Sequence, residues 1–255
     1  RKGIRTLGIS HQASFHYSIP RKGEDIASRL VMRHYAPVDQ AIGLHWFHFG
    51  HPILPPVVDQ IAPCQEDGTI LVYLPFESVS AIHDLLSRYT GVQFCCFHPD
   101  VHEVSTMGNI DLFPLSRERF KQALARSNGV ISNAGFELAS EALTLGKKLL
   151  LKPLQGQFEQ CTNAYTLEML GMACVMQSLD PGAVRGWLDS EAPGVVKYPD
   201  VAEGIAQWLA SGGEEPVSQL IERMWRQVTF PETVCGRLAE LGMGEALNCS
   251  LRMQF

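Results

Sequence analysis

Glu141 lies in the second turn of a helical segment that begins directly after the turn Ser132-Asn133-Ala134-Gly135. A carboxylate beside such a turn can accept both hydroxyls of a ribose, and hydrogen bonds to a charged group contribute roughly 1.5–3 kcal/mol each. Gly135 lets a ligand approach the backbone, and the first N–H groups of the helix are available to phosphate oxygens. On a 3.6-residue period Glu137, Ser140, Glu141 and Thr144 share one arc, opposite Leu138, Ala139, Ala142, Leu143 and Leu145, which keeps Glu141 out of the core. The same pattern describes a solvated acidic face, the commoner case by pattern alone. A second polar group follows in PLQGQFEQCTNA (153–164), with Gln155, Gln157, Glu159, Gln160 and Asn163. These are amides that could reach sugar hydroxyls, or equally an ordinary polar loop and helix start. His11-Gln12 follow an early strand candidate, where ligands gather, although a lone surface histidine is the plainer reading. His45, His48 and His51 are three apart, a spacing that on a strand alternates faces, and Pro52 interrupts it, so no metal site is expected there.

The elements that must position these groups are legible as an alternation. TILVYLPF (69–76), VQFCCFH (92–98), NIDLFPL (109–115), GVIS (129–132), KLLLKPL (148–154) and ACVM (173–176) are strand candidates. Between them run helix-period segments at 79–89, 117–127, the Glu141 helix ending at Gly146, and 159–171. Asp180-Pro181 opens a further helix with an N-cap and a proline at the first helical position. This order predicts an α/β domain with a doubly wound parallel sheet over 67–212. Residues 1–66 hold two strand candidates, RTLGIS and AIGLHW, around one helix near 24–36, with FGHPILPPVV (49–58) as a connector. They are either an extension packed on the main domain or the end of a truncated Rossmann-like domain. Residues 213–255 are expected to be a helical tail. The chain opens with Arg1 rather than Met, which suggests a fragment or a numbering from the first residue kept.

Composition removes several classes. The 255 residues are 45% hydrophobic and 19% charged, with a formal net charge of −6 and no dense Lys/Arg run, so nucleic acid is not an expected partner. No apolar stretch reaches the roughly 20 residues of a spanning helix, and no signal peptide is present. Seven cysteines form no C-x-x-C pair, and Cys95-Cys96 sit in a strand-like apolar run, which suits a reducing cytoplasm. The chain has no G-x-G-x-x-G, G-x-x-x-x-G-K-[ST] or G-x-S-x-G motif and no D-x-D pair, so neither a cofactor nor a metal is expected.

The stretch ARSNGVISNAGFELASEALTLGKKLLLKPLQGQFEQCTNAYTLEMLG (125–171) resembles the donor-site block of GT-B glycosyltransferases. The likeness is strongest to the bacterial enzyme that adds N-acetylglucosamine to lipid-linked muramyl peptide, and to its uncharacterised relatives. The resemblance implies that Glu141 binds the ribose diol of a UDP-sugar and that Gln160 and Asn163 bind the sugar, with Gln155 among the nearby amides. It places the turn Asn133, Ala134, Gly135 near the diphosphate and the backbone of Phe113 to Leu115 at the uracil. LGISHQASF (7–15) is similar, more weakly, to a cleft-facing His-Glu-Gln-Asn segment, which makes His11 the candidate catalytic residue. One departure is the loop LPFES (74–78), where the family has Gly-Gly-Ser; Ser78 keeps a hydroxyl to offer the phosphates or cap the helix. The family's first βα loop has no counterpart.

The resemblance therefore implies a GT-B, metal-independent UDP-sugar glycosyltransferase with an unidentified glycan or lipid-linked acceptor. It would be cytoplasmic with room for peripheral membrane contact, and the sheet edge of a half-domain would favour a homo-oligomer. Inversion is the family expectation. A UDP-sugar epimerase of the same fold and a non-catalytic donor-binding subunit that needs a partner chain are the alternatives.

Overall fold

A computed structural model describes residues 6–23, 38–59, 61–62 and 64–244; the helix expected near 24–36 lies outside the described residues. The chain forms two compact units, Gln60–Val195 and a second made of Arg1–Asp59 with Val196–Phe255.

In the second unit, β1 (Leu7–Ser10), β2 (Gln40–Leu44) and β3 (Ile53–Leu54) form a parallel sheet in that order. A 3-10 helix, Gln12–His16, follows β1 and lies against β2. Gly43 makes that approach possible, because a Cβ there would stand 2.7 Å from the Ser14 Cα. Strand β3 falls inside the stretch expected to be a connector. Its prolines conceal it, since Pro52 and Pro55 flank only two residues, yet both residues are fully buried and Leu54 O accepts the His45 N–H.

The Gln60–Val195 unit contains β4 (Ile70–Tyr73), α1 (Val79–Leu86), β5 (Phe94–Phe97), β6 (Ser105–Met107), β7 (Ile110–Phe113) and α2 (Arg117–Arg126). It continues with β8 (Gly129–Ser132), α3 (Phe136–Thr144), β9 (Lys148–Leu151), α4 (Phe158–Met169), β10 (Cys174–Val175) and α5 (Pro181–Leu188). The sheet order is β10-β9-β8-β4-β5-β7-β6, parallel throughout except for β6 against β7. This is the doubly wound α/β architecture expected from the alternation. Ile70, Val72, Phe94, Cys96, Ile131 and Leu150 bury into a core shared with Leu85, Leu86 and Trp187. Strands covered on both faces read as near-continuous apolar runs, which is why they are visible in the sequence. Burial pushes the Cys95 and Cys96 thiols up to about 12, so they serve as small hydrophobes and not as nucleophiles. Ser78, Ser116 and Asp180 cap α1, α2 and α5 through their side chains. Edge strand β6 is absent from the sequence reading: all three residues are exposed, so no apolar alternation marks them. A two-residue turn with Gly108 at φ 63° folds β6 onto β7.

After α5 come α6 (Val201–Ala210), α7 (Val217–Trp225) and α8 (Glu232–Glu240), all grouped with β1–β3. The Trp225 indole N–H donates to Ile53 O at 2.6 Å and the Tyr198 hydroxyl to Trp46 O at 3.3 Å, bonds that span more than 150 residues. Among the described residues no helix is long and apolar enough to cross a membrane.

Candidate functional site

Open α/β sheets bind ligands beyond the carboxyl ends of their strands, at the point where strand order reverses. Here the chain builds outward from β4 through β5 to β7, then returns to place β8 on the other side of β4. The crevice therefore lies between the loop after β4 and the turn after β8. That turn is the Ser132–Gly135 segment. It is held from both sides: Asn133 N–H donates to Tyr73 O (3.3 Å), Lys152 N–H to Ser132 O (2.8 Å), and the Asn133 amide to Lys152 O (2.8 Å). Ser132 Oγ and Asn133 Oδ1 are buried and have no hydrogen-bond partner. A buried polar atom left unpaired costs about 1–3 kcal/mol, so two at one turn make it a candidate ligand site. Gly135 is the N-cap of α3 without a side-chain cap, and a side chain there would enter open space. α3 thus starts beside this turn without a side-chain cap, the kind of helix end at which anions bind.

Glu141 is half-buried on the same helix, out of the core as expected, and Glu137 is exposed. Ser140 departs from the polar arc that its spacing predicts: only 1% of it is exposed, and its hydroxyl donates to Phe136 O at 2.7 Å. That bond to the preceding turn satisfies the hydroxyl and allows a serine to face the core. Thr144 bonds Glu141 O in a similar way.

Two of the amides after β9, Gln160 and Asn163, are turned toward the protein backbone. Asn163 is fully buried and donates to Ala134 O at 3.0 Å, and the Gln160 side-chain oxygen accepts the Leu154 N–H at 3.1 Å. They fasten the 132–135 turn and the 153–157 loop to α4. Ala134 is buried, whereas Gln155 is exposed next to Gly156 at φ 78°. At the end of β7, Phe113 stacks on Phe97 with ring centroids 5.2 Å apart, and Leu115 is 53% exposed. Ser78 accepts the Ala81 N–H and meets the Ser80 hydroxyl at 3.1 Å.

Two residues of this edge escaped the sequence reading. Lys152, after β9, is buried and pairs with Glu77, in the loop after β4, at 2.5 Å. The Glu77 carbonyl in turn accepts the N–H of buried His98 at 2.8 Å; His98 Nδ1 accepts from Asp100 N–H, which leaves its proton on Nε2. No motif announces this pair, because its members are 75 residues apart.

His11 belongs to the other unit. It is 7% exposed and its Nδ1 lies 2.9 Å from Leu44 O. A carbonyl only accepts, so Nδ1 carries the proton of the neutral ring. His11 is therefore not a surface histidine. Its ring packs against Phe15, His45 and Trp46. His48 Nδ1 accepts from Gly50 N–H, and His51 lies 3.2 Å from Ser18 O.

His45 is fully buried, and that burial, reinforced by the neighbouring His11 charge, drives its pKa well below the ordinary histidine value. The unfolded chain takes up a proton below about pH 6.5 that the folded chain cannot accommodate, so stability falls as pH drops below that point. The expected slope is roughly 1.4 kcal/mol per pH unit at most. Urea denaturation between pH 7.5 and pH 5.5 should show this acid loss in the wild type and a smaller loss in His45→Gln; equal losses would refute it.

The family model described as Glycosyl transferase family 1 matches residues 11–191. The chain belongs to glycosyl transferase family 1. The match of this family 1 protein begins at His11 and spans the crevice between β4 and β8. Among solved structures it is similar to the glycosyltransferase SnogD from Streptomyces nogalater, at 17% identity over 64% of this chain and 52% of that one, TM-score 0.43. The spinosyn forosaminyltransferase SpnP matches at 10% identity over 94% and 70%, TM-score 0.49. LpCGTa in complex with UDP matches at 16% over 94% and 61%, TM-score 0.45. The family 1 chain thus spans about half the length of SnogD. No curated protein sequence matches it.

Proposed function

We propose that this family 1 chain binds a UDP-sugar at the carboxyl edge of the seven-stranded sheet, for transfer of the sugar to a glycan or lipid-linked acceptor. The carrying observation is the pair of buried, unpartnered oxygens, Ser132 Oγ and Asn133 Oδ1, beside the uncapped N-terminus of α3. In this reading the α3 N–H groups hold the diphosphate and Glu141 takes the ribose hydroxyls. The backbone of Phe113–Leu115 meets the base, and Gln155 reaches the sugar. Gln160 and Asn163 act by holding the two loops in place. The acceptor oxygen displaces UDP in line at the anomeric carbon, and the helix N-terminus stabilises the departing diphosphate without a divalent ion. His11 Nε2 is the proposed base for the acceptor hydroxyl. The six described cysteines are all free, which fits a reducing, cytoplasmic setting.

Calorimetry tests the donor assignment. Glu141→Ala should bind UDP at least about tenfold more weakly than wild type, the loss of one to two charge-assisted hydrogen bonds. Deoxyuridine diphosphate should lose much less from the same change. The titrations are run in excess EDTA, and a hundredfold gain on adding magnesium would contradict the metal-free site. Equal UDP affinity in wild type and variant removes Glu141 from the ribose.

A further inference from the structure

The Glu77–Lys152 pair joins the loop after β4 to the end of β9, and β8 lies between those two strands. Neighbouring strands are roughly 4.8 Å apart, so the pair bridges about two strand spacings, over the carboxyl end of β8. Lys152 also bonds Ser132 and Asn133 through its backbone, so the pair adjoins the two residues whose buried oxygens lack partners.

We propose that Lys152 is the cation that binds the donor diphosphate, and that Glu77 occupies it until the donor arrives, so that binding exchanges one carboxylate for the diphosphate. This deepens the donor reading above and rests on it for the identity of the nucleoside.

Four features support the exchange. Lys152 is 9% exposed, and a lysine buried to that extent keeps a counter-ion. The loop Leu74–Ser78 contains no glycine, so its backbone is poorly suited to close approach by phosphates and a side-chain charge takes on that task. The Glu77 backbone is pinned by the His98 ring N–H on its carbonyl and by its own N–H on Leu74 O. Its side chain can therefore swing while the loop holds still. The neighbouring Phe76 is 65% exposed, so solvent is near for the displaced carboxylate. A diphosphate carries more charge than a carboxylate and offers several oxygens to one ammonium, and the Ser132 hydroxyl can add a further donor.

The experiment is calorimetric titration of wild type, Glu77→Gln, Lys152→Met and Lys152→Arg with UDP, uridine and inorganic pyrophosphate, with folding checked by circular dichroism. Glu77→Gln should bind UDP and pyrophosphate at least fivefold more tightly than wild type, although it melts at a lower temperature. Lys152→Met should bind both at least tenfold more weakly, and Lys152→Arg should stay within fivefold of wild type. Uridine affinity should change less than twofold throughout. If Glu77→Gln does not fold, Glu77→Asp replaces it; its shorter carboxylate reaches Lys152 less well and should also gain affinity. Unchanged or weaker diphosphate binding on altering Glu77 would overturn the exchange, and unchanged binding in Lys152→Met would reduce the pair to a structural strut. Failure of the donor reading looks different: uridine and UDP fail to bind wild type, while the pyrophosphate series still reports on Lys152 and Glu77.

Discussion

His11→Gln is expected to lower sugar transfer by roughly two to four orders of magnitude, the range for loss of a general base, while UDP affinity stays within twofold. The argument is one of tautomer and place. Leu44 O accepts from the ring, which fixes the neutral tautomer with its proton on Nδ1. Phe15, His45 and Trp46 pack around the ring and hold its plane, so little entropy is lost when it takes a proton. Glutamine can replace the bond to Leu44 O but cannot accept a proton at neutral pH, which separates a chemical role from a positional one. The measurement is UDP release from a UDP-sugar by the full gene product, with a glycan or lipid acceptor extract, alongside UDP titration. A turnover within threefold of wild type would remove His11 from the chemistry.

Trp187→Ala should destabilise the fold by about 3–5 kcal/mol, the cost of deleting a large buried aromatic ring. That corresponds to a fall in melting temperature on the order of 10 °C. Trp187 lies in the last turn of α5 and is buried across β8, where Gly129 leaves the room it fills: a Cβ there would be 2.8 Å from the indole. Lys148 Nζ sits 5.1 Å from the ring centroid and donates to the carbonyls of Trp187, Leu188 and Ser190, so the ring, a cation and a helix C-terminus form one cluster. The indole N–H is itself buried without a partner. Trp187→Phe removes that orphan donor along with part of the ring, and these effects oppose each other, so its cost should be less than half that of alanine. Chemical denaturation of the three proteins checks the order. A loss below 1 kcal/mol for Trp187→Ala, or alanine and phenylalanine costing the same, would mean that the cluster is not what holds α5 to the sheet.

Much of the donor-side architecture is legible without coordinates because its signals are local. GVIS is bounded by Asn128 and the Ser132–Gly135 turn, and β8 runs from Gly129 to Ser132 as read. Asp180-Pro181 starts α5 because a side-chain cap and a fixed proline φ act within one turn. Strands buried on both faces are apolar along their whole length, so neighbours in sequence suffice to reveal them. The exposed edge strand β6 and the two-residue β3 carry no such pattern, and only pairing with another strand makes them strands.

The site divides in the same way. The glycine turn, Glu141 and the polarity of α3 can be placed from spacing alone. Whether a polar side chain faces ligand or protein can depend on atoms far away in the chain: Asn163 turns to Ala134 and His11 to Leu44. The Glu77–Lys152 pair goes furthest beyond the reach of sequence. Each residue reads as an ordinary surface charge, and their meeting over β8 exists only because the strand order reverses between β4 and β8. Local periodicity encodes which residues are buried; which polar groups meet is set by the order in which the strands assemble.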